Sequence, residues 1–198
     1  MLRRLWPLLN LSKEKVYELR IYDILPNKYD KFYRITSELL PLRASVSRCQ
    51  AYWIVQLGGL NQVVHLWEYD SLKHRYAIRS ALDRDGEWKN RYTISRQECL
   101  SSQTNMLLRM VYRESNASIL SFKYLMKITR DKELVLKTPG ASLAASYVVI
   151  TGEHEGMYLH IVKGTELDDL LDVEPLPGSI SKIMGPARWS SLIGCLWR

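Results

Sequence analysis

The sequence predicts an α+β fold, an antiparallel sheet with helices laid on one face. Three observations predict it. Strand-like and helix-like stretches follow one another as strand, helix, strand, strand, helix, strand over residues 16–110. The pair Gly58-Gly59 separates two β-branched and aromatic runs, as the turn of a hairpin does. Hydrophobic residues make up 46% of the 198, enough to bury a real core.

Residues 16–22 alternate, with Tyr17, Leu19 and Ile21 on one face and Glu18, Arg20 and Tyr22 on the other, as in a half-buried strand. Leu25-Pro26-Asn27 signals a turn. Residues 28–40 switch to a helical stripe of Tyr29, Phe32, Tyr33, Thr36, Leu39 and Leu40, which Pro41 should end or kink. Strands over 50–57 and 63–69 flank the Gly58-Gly59 turn. Asp70-Ser71 offers an N-cap for a helix over 71–82. Its Leu72, Tyr76, Ile78 and Leu82 can look inward, and Arg75, Arg79 and Arg84 toward solvent. Asp85-Gly86 interrupts it, residues 88–97 can form a further short helix, and 99–110 read as the next strand. This order is the ferredoxin-like unit, with helices on one face of a four-stranded antiparallel sheet. Its other face needs a cover.

The second half supplies one. Residues 119–128 read as a strand, and 131–138 as a loop or a turn of helix. Residues 146–151 and 157–162 form a hairpin about Gly152-Glu153-His154-Glu155-Gly156. A helical turn is expected over 166–171, a loop through Pro175, Pro177, Gly178, Gly185 and Pro186, and a closing strand over 189–197. The organisation is then an N-terminal arm (1–15), a ferredoxin-like domain (16–111) and a second, divergent ferredoxin-like unit with a shortened first helix (119–198), linked near 112–118.

The net charge of +7 comes from scattered bases with no long block, which describes a solvated basic surface. Basic and aromatic residues do not interleave on one strand face, so nucleic acid is not an expected partner. No run is long and apolar enough for a transmembrane helix. Cys49, Cys99 and Cys195 are sparse and odd in number, which argues against a secreted disulfide framework. The first residues mix Arg3, Arg4, Lys13 and Lys15 with Leu2, Leu5, Leu8, Leu9 and Leu11 and a single acid, Glu14. That composition resembles a mitochondrial presequence, and a flexible arm is the alternative.

Further motifs run Gly59-Leu60-Asn61, Val63-Val64-His65-Leu66-Trp67, Tyr69, Ser71-Leu72 and Arg75. Tyr17-Glu18-Leu19-Arg20-Ile21-Tyr22 precedes them and Gln103-Thr104-Asn105-Met106-Leu107 follows. Over residues 16–110 the chain resembles the NIPSNAP family, with Pro26-Asn27-Lys28 in place of the usual Pro-Gly-Lys turn. The resemblance implies tandem ferredoxin-like units whose antiparallel sheets form a dimeric α/β-barrel-like arrangement, the second unit degenerate here. It implies mitochondrial association, with the cytoplasm as alternative, and protein partners in vesicular and membrane traffic or mitochondrial quality control (mitophagy). It leaves room for a homo-oligomer. No cofactor and no catalytic residue carry over, so interaction rather than catalysis is the expectation.

An even hairpin register puts Tyr52, Ile54 and Gln56 on one face with Val63, His65 and Trp67, and Trp53, Val55 and Leu57 on the other with Val64 and Leu66. The apolar set suits the helix-facing core. The mixed set would then line the barrel interior, making Glu18, Arg20, Tyr52, Gln56, His65 and Trp67 a candidate cavity for a small molecule or a monooxygenase-like reaction. A buried His, Arg and Glu are more often a satisfied polar network than a site, and the same residues read that way too. The histidines His65, His74, His154 and His160 have no zinc-site spacing, and no metal is expected.

Overall fold

Eight strands close into one barrel, in the order β1-β3-β2-β8-β5-β7-β6-β4, with every neighbouring pair antiparallel. The structure is a computed structural model, described over residues 14–114, 122–171, 173 and 176–190. The strands are β1 (Val16–Ile24), β2 (Arg48–Leu57), β3 (Gln62–Tyr69), β4 (Leu100–Arg113), β5 (Lys123–Thr129), β6 (Ala141–Gly152), β7 (Tyr158–Gly164) and β8 (Ile180–Pro186). The first half contributes β4-β1-β3-β2 and the second β8-β5-β7-β6, so each half orders its own strands the same way. The halves meet at two seams, β2 on β8 and β4 on β6.

Helices α1 (Tyr29–Val46) and α2 (Leu72–Arg84) cover the first half, with a π-helical turn (Trp88–Ile94) that runs into α3 (Ser95–Gln97). The cap on α2 is Ser71, whose hydroxyl accepts from the His74 amide at 3.1 Å. Helix α1 does not end at Pro41 but continues for five more residues. Its last turn is held by Arg43, which donates to the Tyr69 hydroxyl at 2.7 Å and lies 4.4 Å above the Trp67 ring.

In the second half residues 131–138 are loop, and Leu134 and Leu136 pack on Leu125, Val162 and Ile183 together with Leu170 of α4 (Asp168–Leu171). The last strand among the described residues is β8, within the stretch expected to be loop. Trp189 sits in a 3-10 turn, and residues 191–198 lie outside the described ones. The discrepancy has a physical basis. Pro186 takes the final position of its strand, where its missing donor matters least. Residues 1–13 of the N-terminal arm, 115–118 of the expected linker and 119–121 at the start of the expected second unit also fall outside the described residues.

The hairpin register is as expected, with Tyr52 opposite His65 and Trp53 opposite Val64. The direction of the two faces is reversed. Trp53 packs on Tyr124 of β5 (ring centroids 5.6 Å apart) and Tyr17 on Tyr147 of β6 (5.3 Å), so the apolar set fills the barrel. Leu19, Val64, Leu66, Leu108, Met126 and Ile161 join it there, all fully buried. The barrel wall surrounds the lumen, so the mainly apolar face belongs in it, with Glu68 opposite Tyr17 as a buried polar member. The mixed face turns outward, beneath α1 and α2, where side chains from the helices can satisfy its polar groups.

Candidate functional site

Arg20 and Tyr22 of β1 and His65 and Trp67 of β3 line a cavity of about 70 Å³ between the sheet and its helices. From above, α1 adds Arg43, α2 adds Arg79 and Asp83, and the π-helical turn and α3 add Trp88, Tyr92 and Arg96. A π-helical turn spreads its side chains over a wider turn than an α-helix does, and such turns recur at functional sites.

His65 is the floor of the cavity and only 3% exposed. Its ring stacks on Tyr52 (4.6 Å, 8° between planes) and meets the edge of Tyr22 at 4.7 Å. Nδ1 accepts the Trp67 indole N–H at 2.5 Å. Indole nitrogen is a donor only, so the neutral imidazole carries its proton on Nε2. That Nε2 finds no acceptor among the described residues. Burial first, then the charges of Arg20, Arg96 and Arg43, hold the imidazole well below its ordinary pKa, so it stays neutral.

Glu18 lies at the edge of this cluster. Its carboxylate takes a bidentate pair from Arg75 (2.7 and 3.2 Å) and further bonds from Asn105 (3.1 Å) and Tyr69 (3.3 Å). Burial pushes its pKa up, but the Arg75 hydrogen bonds and the charges of Arg20 and Arg75 outweigh this and lower it to about 2. Arg20 stands 3.9 Å and Arg79 4.0 Å from the same carboxylate.

Of the six residues expected to share a site, the structure brings together His65, Trp67, Arg20 and Tyr52, with Glu18 adjoining. It places them under the helices, not inside the barrel. Gln56 is exposed near Gly185 and takes no part. Arg75, expected in solvent, instead closes on Glu18. Arg43 and Arg96 are additions, both buried, and Arg96 donates to the Tyr22 hydroxyl. One of them left a trace in the sequence: Arg43 continues the Phe32, Thr36, Leu39 spacing of the buried helical stripe, and a cation on such a stripe needs a partner. Among the described residues no three His, Cys, Asp or Glu side chains converge as a metal site.

Residues 17–112, which carry the whole of this cluster, match the NIPSNAP family model. That half of the chain belongs to the NIPSNAP family. The mouse protein NipSnap homolog 3B is 39% identical over 84 residues, 42% of this chain and 34% of that protein. The human protein NipSnap homolog 3A is 33% identical over 96 residues, 48% of this chain and 39% of that protein. The NIPSNAP match thus spans little more than a third of the curated relatives' length. Among solved structures, a NIPSNAP-like domain protein of Burkholderia xenovorans is 30% identical, with a TM-score of 0.45, over 52% of this chain and 88% of that one. A protein of Lactobacillus acidophilus put forward as a monooxygenase superposes with a TM-score of 0.55 over 87% of this chain and 93% of its own, at 8% identity. The second likeness covers both halves of the chain and speaks to fold alone.

Proposed function

We propose that this NIPSNAP-family chain works by protein interaction at mitochondria, in vesicular or membrane traffic or in mitochondrial quality control, and not by catalysis. We read its halves as tandem ferredoxin-like units, residues 16–111 and 119–198, the second having lost its first helix. The recurring strand order supports that reading, and kinship supports the role.

The observation that carries the interaction is on α2. Leu72 and Tyr76, one helical turn apart, point out of the fold, with Tyr76 73% and Leu72 42% exposed. Beside them a groove of about 400 Å³ runs between α2, β4 and β6, lined by Leu72, Leu107 and Thr151 and flanked by the Glu18–Arg75 pair. Exposed aromatic and aliphatic side chains beside a fixed charge pair are what a protein partner covers. A substrate chamber in the barrel, the competing reading, has no support from a lumen filled by Trp53, Tyr124, Tyr17 and Tyr147.

Proximity labelling in mitochondria, comparing the full chain with a Leu72→Asp/Tyr76→Asp variant, tests the reading. The expected result is a set of partners lost from the variant while its circular dichroism stays unchanged. An identical labelled set in both would overturn it. A fusion lacking residues 1–12 that still enters mitochondria would remove the presequence from the proposal.

A further inference from the structure

The cavity under the helices is lined mainly by donors. Four guanidinium groups line it, Arg20, Arg43, Arg79 and Arg96, against a single carboxylate, Asp83. Glu18 also lies within 4.0 Å of Arg20 and Arg79, but it is held in bidentate geometry by Arg75, so two carboxylates stand against five guanidinium groups. Three buried donors on lining residues find no acceptor among the described residues: His65 Nε2, Arg20 Nε and Arg96 Nε. Leaving such donors unmatched is costly in a fold that satisfies nearly all its buried polar groups. Excess buried positive charge is costlier still unless an anion accompanies it. The Trp67–His65 bond sharpens this, because it leaves the proton on Nε2 and takes up the one lone pair of the neutral imidazole.

We propose that this cavity is a binding site for a phosphoryl group, supplied either as a free phosphate or as the headgroup of a phosphomonoester lipid. A phosphoryl group is rich in acceptors and brings the negative charge that the four guanidinium groups call for. A phosphoryl dianion also carries more charge than a single carboxylate to set against the guanidinium groups. The cavity holds a few waters or one tetrahedral oxyanion. Tyr22, Trp67, Trp88 and Leu82 on its walls suit the carbon next to a phosphoester. The site is separate from the exposed α2 face, so it can hold whether or not the partner proposal does.

The test is isothermal titration of the full-length protein with inorganic phosphate at constant ionic strength, with chloride as the control anion. Glycerol phosphate and sedimentation with phosphatidylcholine vesicles, with and without phosphatidic acid, are run beside it. Saturable binding of inorganic phosphate and glycerol phosphate, without vesicle capture, assigns a free ligand. Capture only by vesicles holding phosphatidic acid assigns the headgroup. Arg20→Gln and His65→Phe, the second keeping the stack on Tyr52, should each weaken the observed binding by about tenfold or more. Arg91→Gln, a change of the same charge at a residue paired outside with Glu38 and Glu87, should not. No saturable binding by any probe, or binding equal to wild type in both cavity variants, would overturn the site. If those variants do not fold, the His65 Nε2–H signal in nitrogen-edited NMR of the wild type decides. It must move on adding the bound probe, and a stationary signal rejects the proposal.

Discussion

The indole N–H of Trp67 donates to Nδ1 of His65 at 2.5 Å, across two residues of one strand face. One bond between neighbours in sequence fixes which nitrogen of the buried imidazole holds the proton. It also requires that the imidazole remain neutral, since a protonated ring would turn donor against donor.

A pH dependence of stability follows. The folded pKa of His65 lies well below the unfolded value of 6.5, so below that pH the unfolded chain binds a proton that the folded chain refuses. The contribution is complete above pH 6.5 and is lost as pH falls below it. Its slope approaches about 1.4 kcal/mol per pH unit for one proton. His160 is shifted in the same direction by burial and adds to the slope. Urea unfolding between neutral and mildly acidic pH should show wild type losing stability faster than His65→Phe. Equal slopes would contradict a neutral, buried His65.

Glu18 contributes at lower pH. Its pKa falls from 4.5 to about 2 on folding, so its contribution stands above pH 4.5 and disappears as pH falls through 2. The difference corresponds to about 3 kcal/mol. Replacing the carboxylate also strands Arg75, with Arg20 and Arg79 close by. Glu18→Gln is therefore expected to cost about 3–5 kcal/mol in denaturant unfolding at neutral pH, the range for breaking a buried pair. A loss within ~0.5 kcal/mol, the usual range for a surface substitution, would mean that solvent reaches this pair freely.

The β2–β3 turn makes a sharper comparison between two glycines. Gly58 has φ +86°, and a Cβ there would lie 2.5 Å from the Ser181 carbonyl oxygen of the neighbouring strand β8. Gly86 after α2 has nothing within 4 Å of such an atom. Gly58→Ala should lower stability by about 1–3 kcal/mol through strain and contact. Gly86→Ala should be neutral or stabilise by up to about 1 kcal/mol, by restricting the unfolded chain. Thermal melts of the two variants check both, and similar shifts would mean that the turn does not press on β8.

Strand alternation and turn residues were enough to read most of the first half. Tyr52 opposite His65, the Ser71 cap and the Gly58 turn all follow from local rules that the structure obeys. Side-of-sheet assignment does not follow from local rules. Trp53 and Val64 share a face with certainty, but whether that face meets helices or a second half-barrel depends on contacts with residues such as Tyr124, more than fifty positions away. Arg96 was hidden for another reason: it reaches the cavity because the chain makes a π-helical turn at Trp88–Ile94, and no residue pattern announces one. The second half was harder to read because its outer covering is loop, and loops carry no period.

Barrel closure within one chain has a last consequence. Both seams, β2 on β8 and β4 on β6, join residues tethered to each other, so the wall assembles at the same concentration-independent rate however dilute the protein. Two separate copies of one half would need to find each other and would carry every change twice. Tethered halves are released from that symmetry. Here one half carries long helices and an arginine-lined chamber beneath them, and the other is covered by a loop and the short α4.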